Sequence, residues 1–132
     1  MTSILIVEDD ENIRELSDYI LSQAGYQVFK ANNGRDALDM MRQQRFNLIL
    51  LDVHMPIMSG LDVLRSVARP GVPMLPVLMV TANRNIDTVN EAMLLGCVGY
   101  VVKPFTPEGL LDRTPSADRK AQEPRRVRRG QP

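Results

Sequence analysis

The side chains best suited to chemistry stand where apolar runs stop. Glu8, Asp9 and Asp10 follow Ile4-Leu5-Ile6-Val7, Asp52 follows Leu48-Ile49-Leu50-Leu51, and Thr81 and Lys103 end two later runs of the same kind. Several carboxylates brought together repel one another and resist ionisation unless a cation joins them. Hard oxygen ligands that leave room for water suit Mg2+. A hydroxyl and an ammonium are the partners a phosphoryl oxygen requires. Acids, a divalent metal, a hydroxyl and a lysine together describe phosphoryl transfer, in which positioning and charge neutralisation carry most of the catalysis. Each residue also has a plainer role open to it. Asp10 is expected to cap the first helix, since Asn12 and Ile13 already read as helical. Asp52 could be a turn former, Thr81 an ordinary strand end, and Lys103 before Pro104 a solvated loop lysine. Their joint occurrence favours the site.

For these groups to meet, their strands must end on one edge. Four consecutive large aliphatic residues at 48–51 read as a strand buried on both faces, the mark of a central parallel strand. Pro56 and Ser59-Gly60 follow closely, so Asp52 sits where strand becomes loop. Further strands are predicted over residues 4–7, 26–31, 75–80 and 98–102, the second mixed enough to lie near an edge. Between them, Ile13, Leu16, Ile20 and Leu21 recur at helical spacing up to a stop at Gly25. Asn33-Gly34 opens a helix bearing Ala37, Leu38 and Met41. Leu61, Leu64, Val67 and Ala68 mark a third helix, broken at Pro70-Gly71. Val89, Ala92 and Met93 mark a fourth, ended by Gly96. A last short helix starts near Pro107, with Leu110 and Leu111 as its large apolar anchors. Strands alternating with helices give βαβ units and a parallel sheet covered on both faces. In such sheets ligands bind beyond the carboxyl ends of the strands.

The 132 residues are enough for one domain with a real core, and 44% hydrophobic with 24% charged residues is the balance of a globular protein. No apolar run approaches a membrane span, and the strand near the start leaves no secretory leader, so a cytoplasmic setting with no membrane association is expected. The single Cys97 cannot form an internal disulfide, and one His with one Cys is too few for a zinc site. Glycine-rich nucleotide-binding patterns are absent. A net charge of zero hides a split: residues 1–112 carry 9 basic and 14 acidic side chains, and residues 113–132 carry 7 and 2. The division expected is therefore a domain over 1–112 and a basic, flexible tail over 113–132.

Four segments, ILIVEDD, LILLDVHMPIMSG, VLMVTA and GYVVKPF, in that order and spacing, resemble the receiver domain of two-component response regulators across residues 3–112. The resemblance implies a flavodoxin-like, doubly wound, five-stranded parallel sheet of order 2-1-3-4-5. It implies that Asp52 is the phosphoacceptor, taking a phosphoryl group from a sensor histidine kinase or phosphotransfer protein. Asp9 would ligate Mg2+ directly, Glu8 mainly through water, with Asp52 and the backbone carbonyl of His54 completing the protein ligands. Lys103 would pair with Asp52 and then with the phosphoryl group. Thr81 and Tyr100 would form the switch, the ring turning inward as the hydroxyl moves to the phosphoryl oxygen.

Two features depart from the family pattern. The last helix is shortened, weakened by Gly109 and cut by Pro115. Leu94 and Val98 stand where acids are frequent; if exposed, they and Leu95 form an apolar docking face suited to a homodimer, and otherwise they belong to the core. The leading expectation is a phospho-switch that acts by binding an unidentified output partner. It is not expected to be an enzyme, since the site would at most hydrolyse its own acyl phosphate. The alternative is a nucleic-acid-associated regulator using Arg125, Arg126, Arg128 and Arg129 on phosphates. That tail lacks aromatics and regular apolar spacing, so a solvated tail is favoured over nucleic-acid binding.

Overall fold

The aliphatic runs form the strands expected of them. A computed structural model describes residues 2–68, 76–82 and 86–122, with side chains described through Thr114. In chain order the elements are β1 (Ser3–Val7), α1 (Glu11–Gln23), β2 (Gln27–Ala31), α2 (Gly34–Gln43), β3 (Leu48–Asp52), α3 (Gly60–Val67), β4 (Val77–Thr81), α4 (Ile86–Leu94), β5 (Gly99–Val102) and α5 (Pro107–Gln122). The sheet is parallel throughout, in the order β2-β1-β3-β4-β5. All five residues of β3 and all five of β4 are buried, whereas β2 is mixed and lies at an edge. The expected break at Pro70-Gly71 and the predicted strand start at Leu75 lie outside the described residues.

Alternate side chains of the strands feed two cores, because successive Cβ atoms point to opposite faces. Leu5, Val7, Ile49, Leu51, Val77 and Met79 pack with Ala37, Val63, Leu64 and Ala92 from α2, α3 and α4. Ile4, Ile6, Leu48, Leu50, Leu78 and Val80 pack with Ile20 and Leu21 of α1 and Leu110 of α5. Helices thus cover both faces, which makes the sheet doubly wound.

Local chemistry fixes the helix starts. Asp10 caps α1 by accepting from the Ile13 N–H at 3.1 Å, the role expected for it. Asn33 caps α2 through the Asp36 N–H at 2.8 Å. At α3, Ser59 and Asp62 bond reciprocally to each other's backbone, closing two otherwise orphaned donors. Gly25 ends the α1 region at φ 98°, a left-handed conformation natural to glycine.

The end of the chain corrects one expectation. The helical backbone of α5 passes through Pro115 to Gln122 and does not stop at the proline. Proline's fixed φ is itself helical; what it lacks is one N–H donor. Upstream, the turn is held by the Thr114 hydroxyl, which donates to the Leu110 carbonyl at 2.8 Å, and by the Gly109 N–H on the Thr106 hydroxyl at 2.9 Å. The part of α5 seen to pack on the sheet is short, since Leu110 and Thr114 are its fully buried side chains among those described. The helix also runs across residue 112, where the charge split divides the chain.

Candidate functional site

Register brings the acids together before any side chain is considered. Val7 pairs with Leu51 across β1 and β3, so Glu8 and Asp52 are the next residues on neighbouring strands. Asp52 pairs with Val80, and Thr81 pairs with Val102, which puts Lys103 one step beyond the same edge. The order of the sheet reverses at β1 and β3, and the crevice beyond that point is where doubly wound folds bind ligands.

Lys103 bridges the two strands. Its Nζ lies 2.8 Å from Glu8 Oε1 and 3.2 Å from Asp52 Oδ1. Both carboxylates are buried, at 4% and 3% exposure, while Asp9 is exposed. The other Glu8 oxygen accepts the Asp10 N–H at 3.2 Å, and the Arg14 guanidinium donates to the Glu8 backbone carbonyl at 3.0 Å.

The electrostatics follow from this burial. Desolvation pushes the Glu8 carboxyl up from 4.5 to about 7; the Lys103 hydrogen bond opposes the rise and the charge of Asp52 adds to it. Burial also raises Asp52, against the pull of Lys103. For Lys103, burial works against its charge, but the hydrogen bond to Glu8 and the two carboxylate charges outweigh it and raise its pKa. One ammonium is therefore too little for the acids around it. Glu8, Asp9 and Asp52 with Lys103 sum to a formal −2, the charge a divalent cation offsets.

The donor set fits such a cation. One oxygen from each of Glu8, Asp9 and Asp52 can be chosen so that all lie within 4.8 Å of one another. Oxygens gathered this closely, on carboxylates that need a counter-charge, are the hard ligands Mg2+ takes, with water filling the positions the protein leaves.

The loop after Asp52 is held by a close approach that sequence reading missed. Gly60, first residue of α3, donates its N–H to the Val53 carbonyl at 2.9 Å. A Cβ at Gly60 would lie 2.2 Å from the Asp52 carbonyl oxygen. The only local signal was Ser59-Gly60 as a turn. In the same loop His54 is exposed, and Ile57 is fully exposed at φ 71°, where a β-branched residue is strained.

Thr81 is buried at the end of β4 and lines a small cavity with Tyr100, so these two residues share one space. Tyr100 is half-buried, and the Arg113 guanidinium carbon lies 5.8 Å from its ring centroid. The expected apolar face divides. Leu94 is 88% exposed, Leu95 packs partly against the first core, and Val98 is buried at 3% within the second. Val98 therefore does not belong to an exposed face: α4 ends at Leu94, Gly96 turns the chain at φ 106°, and Val98 enters the core ahead of β5. The arginines 125, 126, 128 and 129 lie outside the described residues.

Fold and edge together define a doubly wound α/β protein with its acids and lysine gathered at the β1–β3 switch point. The pattern of the response regulator receiver domain matches residues 4–114, and the chain belongs to that family. Chemotaxis protein CheY of Pseudomonas aeruginosa is 40% identical over 112 residues, 83% of this chain and 90% of that protein. Transcriptional regulatory protein ZraR of Escherichia coli is 37% identical over 107 residues, 81% of this chain, and the chain spans 24% of its length. The crystal structure of response regulator protein TrrA from Thermotoga maritima, in complex with Mg2+-BeF, is similar at TM-score 0.78 and 30% identity, covering 89% of this chain and 99% of that one.

Proposed function

We propose that Asp52 accepts a phosphoryl group from the phosphohistidine of a sensor histidine kinase or phosphotransfer protein. A carboxylate oxygen forms the new P–O bond as the P–N bond breaks, and the imidazole leaves. The observation that carries this reading is the ammonium of Lys103 set between Glu8 and Asp52 at the carboxyl edge of the sheet. Lys103 is placed to follow the incoming charge from Asp52 to the phosphoryl oxygens. Glu8, Asp9, Asp52 and the backbone carbonyl of His54 would hold Mg2+, which supplies charge neutralisation for the phosphoryl oxygens. The Mg2+-BeF complex of TrrA supports this assignment. Thr81 and Tyr100 would carry the change outward, since they line one cavity beneath α4.

An apolar groove of about 400 Å3, lined by Ile13, Leu16, Ala82, Lys103, Pro104 and Phe105, opens beside the lysine and gives the phosphoryl donor a surface to lie on. The working unit in this reading is residues 1–112, with 113–132 a basic extension. Among the described residues no helix is long and apolar enough to cross a membrane. Leu94, with Ile86 and Met93, leaves α4 with exposed apolar surface for a partner or a second copy of the chain.

Incubation with a small phosphodonor and Mg2+ should add one base-labile phosphoryl group to the intact protein, read by mass. Asp52→Asn should abolish the adduct and keep the fold. Asp9→Asn should lower Mg2+ affinity and labelling together. Full labelling of Asp52→Asn would sink the assignment.

A further inference from the structure

The Tyr100 ring is a partition. Outside it lies a groove of about 620 Å3 whose lining includes Val89, Asn90 and Arg113. Inside it lies a cavity of about 10 Å3 whose lining includes Thr81, Thr88, Val89 and Ala92. Arg113 covers the outer side, with its guanidinium carbon 5.8 Å from the ring centroid, inside the range where a cation is attracted to an aromatic face. That attraction is lost when the ring leaves its outer position.

The inner cavity is no larger than one water needs. The ring cannot enter unless Thr81 moves and the neighbouring side chains of α4 make room. That helix is able to give. Ala92 is its one buried residue among those described, and the exposed Arg65–Glu91 ion pair joins it to α3. The outer contact with Arg113 is thus made in one of the two positions available to Tyr100 and broken in the other.

We infer that Arg113 is a positioning residue: it holds Tyr100 at its outer position and so sets how readily the phosphorylated state forms. This rests on the Thr81–Tyr100 switch proposed above. A contact present in only one of two states shifts their balance by its own strength. Arg113 carries no part of the acidic cluster, so its effect must pass through the ring.

The test is calorimetric titration of the full chain with beryllium fluoride in saturating Mg2+. Arg113→Ala should bind about two- to five-fold tighter than the parent, the range a partly exposed cation–aromatic contact supplies. Arg113→Lys, which keeps a cation over the ring, should stay close to the parent. With Tyr100→Ala in place, Arg113→Ala should change nothing further. If Tyr100→Ala alters binding but Arg113→Ala does not tighten it, the role of Arg113 is overturned and the switch stands. An equal gain in the Tyr100→Ala background would show that Arg113 acts elsewhere, which also overturns it. If Tyr100→Ala itself leaves binding unchanged, the switch falls and the role of Arg113 falls with it.

Discussion

Replacing Gly60 with alanine puts a methyl group where the main chain already stands. The new Cβ would lie 2.2 Å from the Asp52 carbonyl oxygen, 2.9 Å from its carbonyl carbon and 2.9 Å from Val53 Cα, where ordinary contact starts at 3.4 Å. About 1.2 Å must therefore open between the start of α3 and the end of β3. All three atoms are backbone, so no rotamer change relieves the clash. Overpacking of this kind costs about 1–3 kcal/mol, offset in part by alanine's helix propensity of about 1 kcal/mol over glycine. With only backbone atoms in contact the upper end applies, about 3 kcal/mol less about 1, a net loss of about 2 kcal/mol. The site should suffer more than the fold, because a shift of about 1 Å at a reacting group can cost about 100-fold in rate. Gly34→Ala is the control. Its Cβ would meet Val63 Cγ2 at 2.7 Å and Met58 Sδ at 2.9 Å, side-chain atoms and not backbone; the flexible Met58 can swing aside, and the stiff, buried Val63 must shift. It should lose less stability than Gly60→Ala and keep its labelling rate, since neither contact is with Asp52. Urea unfolding followed by circular dichroism gives the stabilities, and the initial rate of acyl phosphate formation with Mg2+ gives the activity. A Gly60→Ala protein within about 0.5 kcal/mol of the parent and labelled at the parent's rate would refute the reasoning.

Three further outcomes are expected. Without metal, folded Glu8 keeps its proton up to about pH 7 while the unfolded chain releases it near 4.5, so the folded state binds more protons in that window and loses stability as pH rises through it. The loss is about 3 kcal/mol and should vanish in Glu8→Gln; in a chelator, a parent that matches Glu8→Gln in pH dependence between about pH 5 and about pH 8 contradicts it. Ile57→Asn should stabilise the chain by about 1 kcal/mol in urea unfolding, because asparagine tolerates the left-handed φ of 71° and the exposed isoleucine has no packing to lose; a loss would show otherwise. Sedimentation of the parent at high concentration should show self-association that Leu94→Glu weakens, and a monomeric parent rules the contact out.

What the sequence disclosed divides by range. The runs at 4–7 and 48–51 are apolar at every position, so central strands, their parallel pairing and the acids at their ends were legible from composition and turn signals alone. The Asp10 cap was legible because capping is a relation across three residues. Leu94, Leu95 and Val98 were not separable, since Gly96 changes the chain from helix to extended between them and periodicity has no phase across such a break. The α5 helix was misjudged at Pro115 because a proline rule is local, whereas the packing of Leu110 and Thr114 is not. Gly60 against Asp52 and Arg113 over Tyr100 depend on the folded distance between elements, and no spacing in the chain announces either.

The ammonium between the two buried carboxylates comes directly after the last strand, 51 residues after Asp52. At a synthesis rate of about 5–20 residues per second, roughly 3–10 s separate the two on the ribosome. Throughout that interval the nascent sheet edge carries its acids without their lysine. Leu110, which closes the second core, emerges later still. Counter-charge and cover therefore arrive together over residues 103–110, and a product terminated before β5 has neither: its acidic edge is left for ions alone to balance, and the second face of its sheet keeps only the cover of α1.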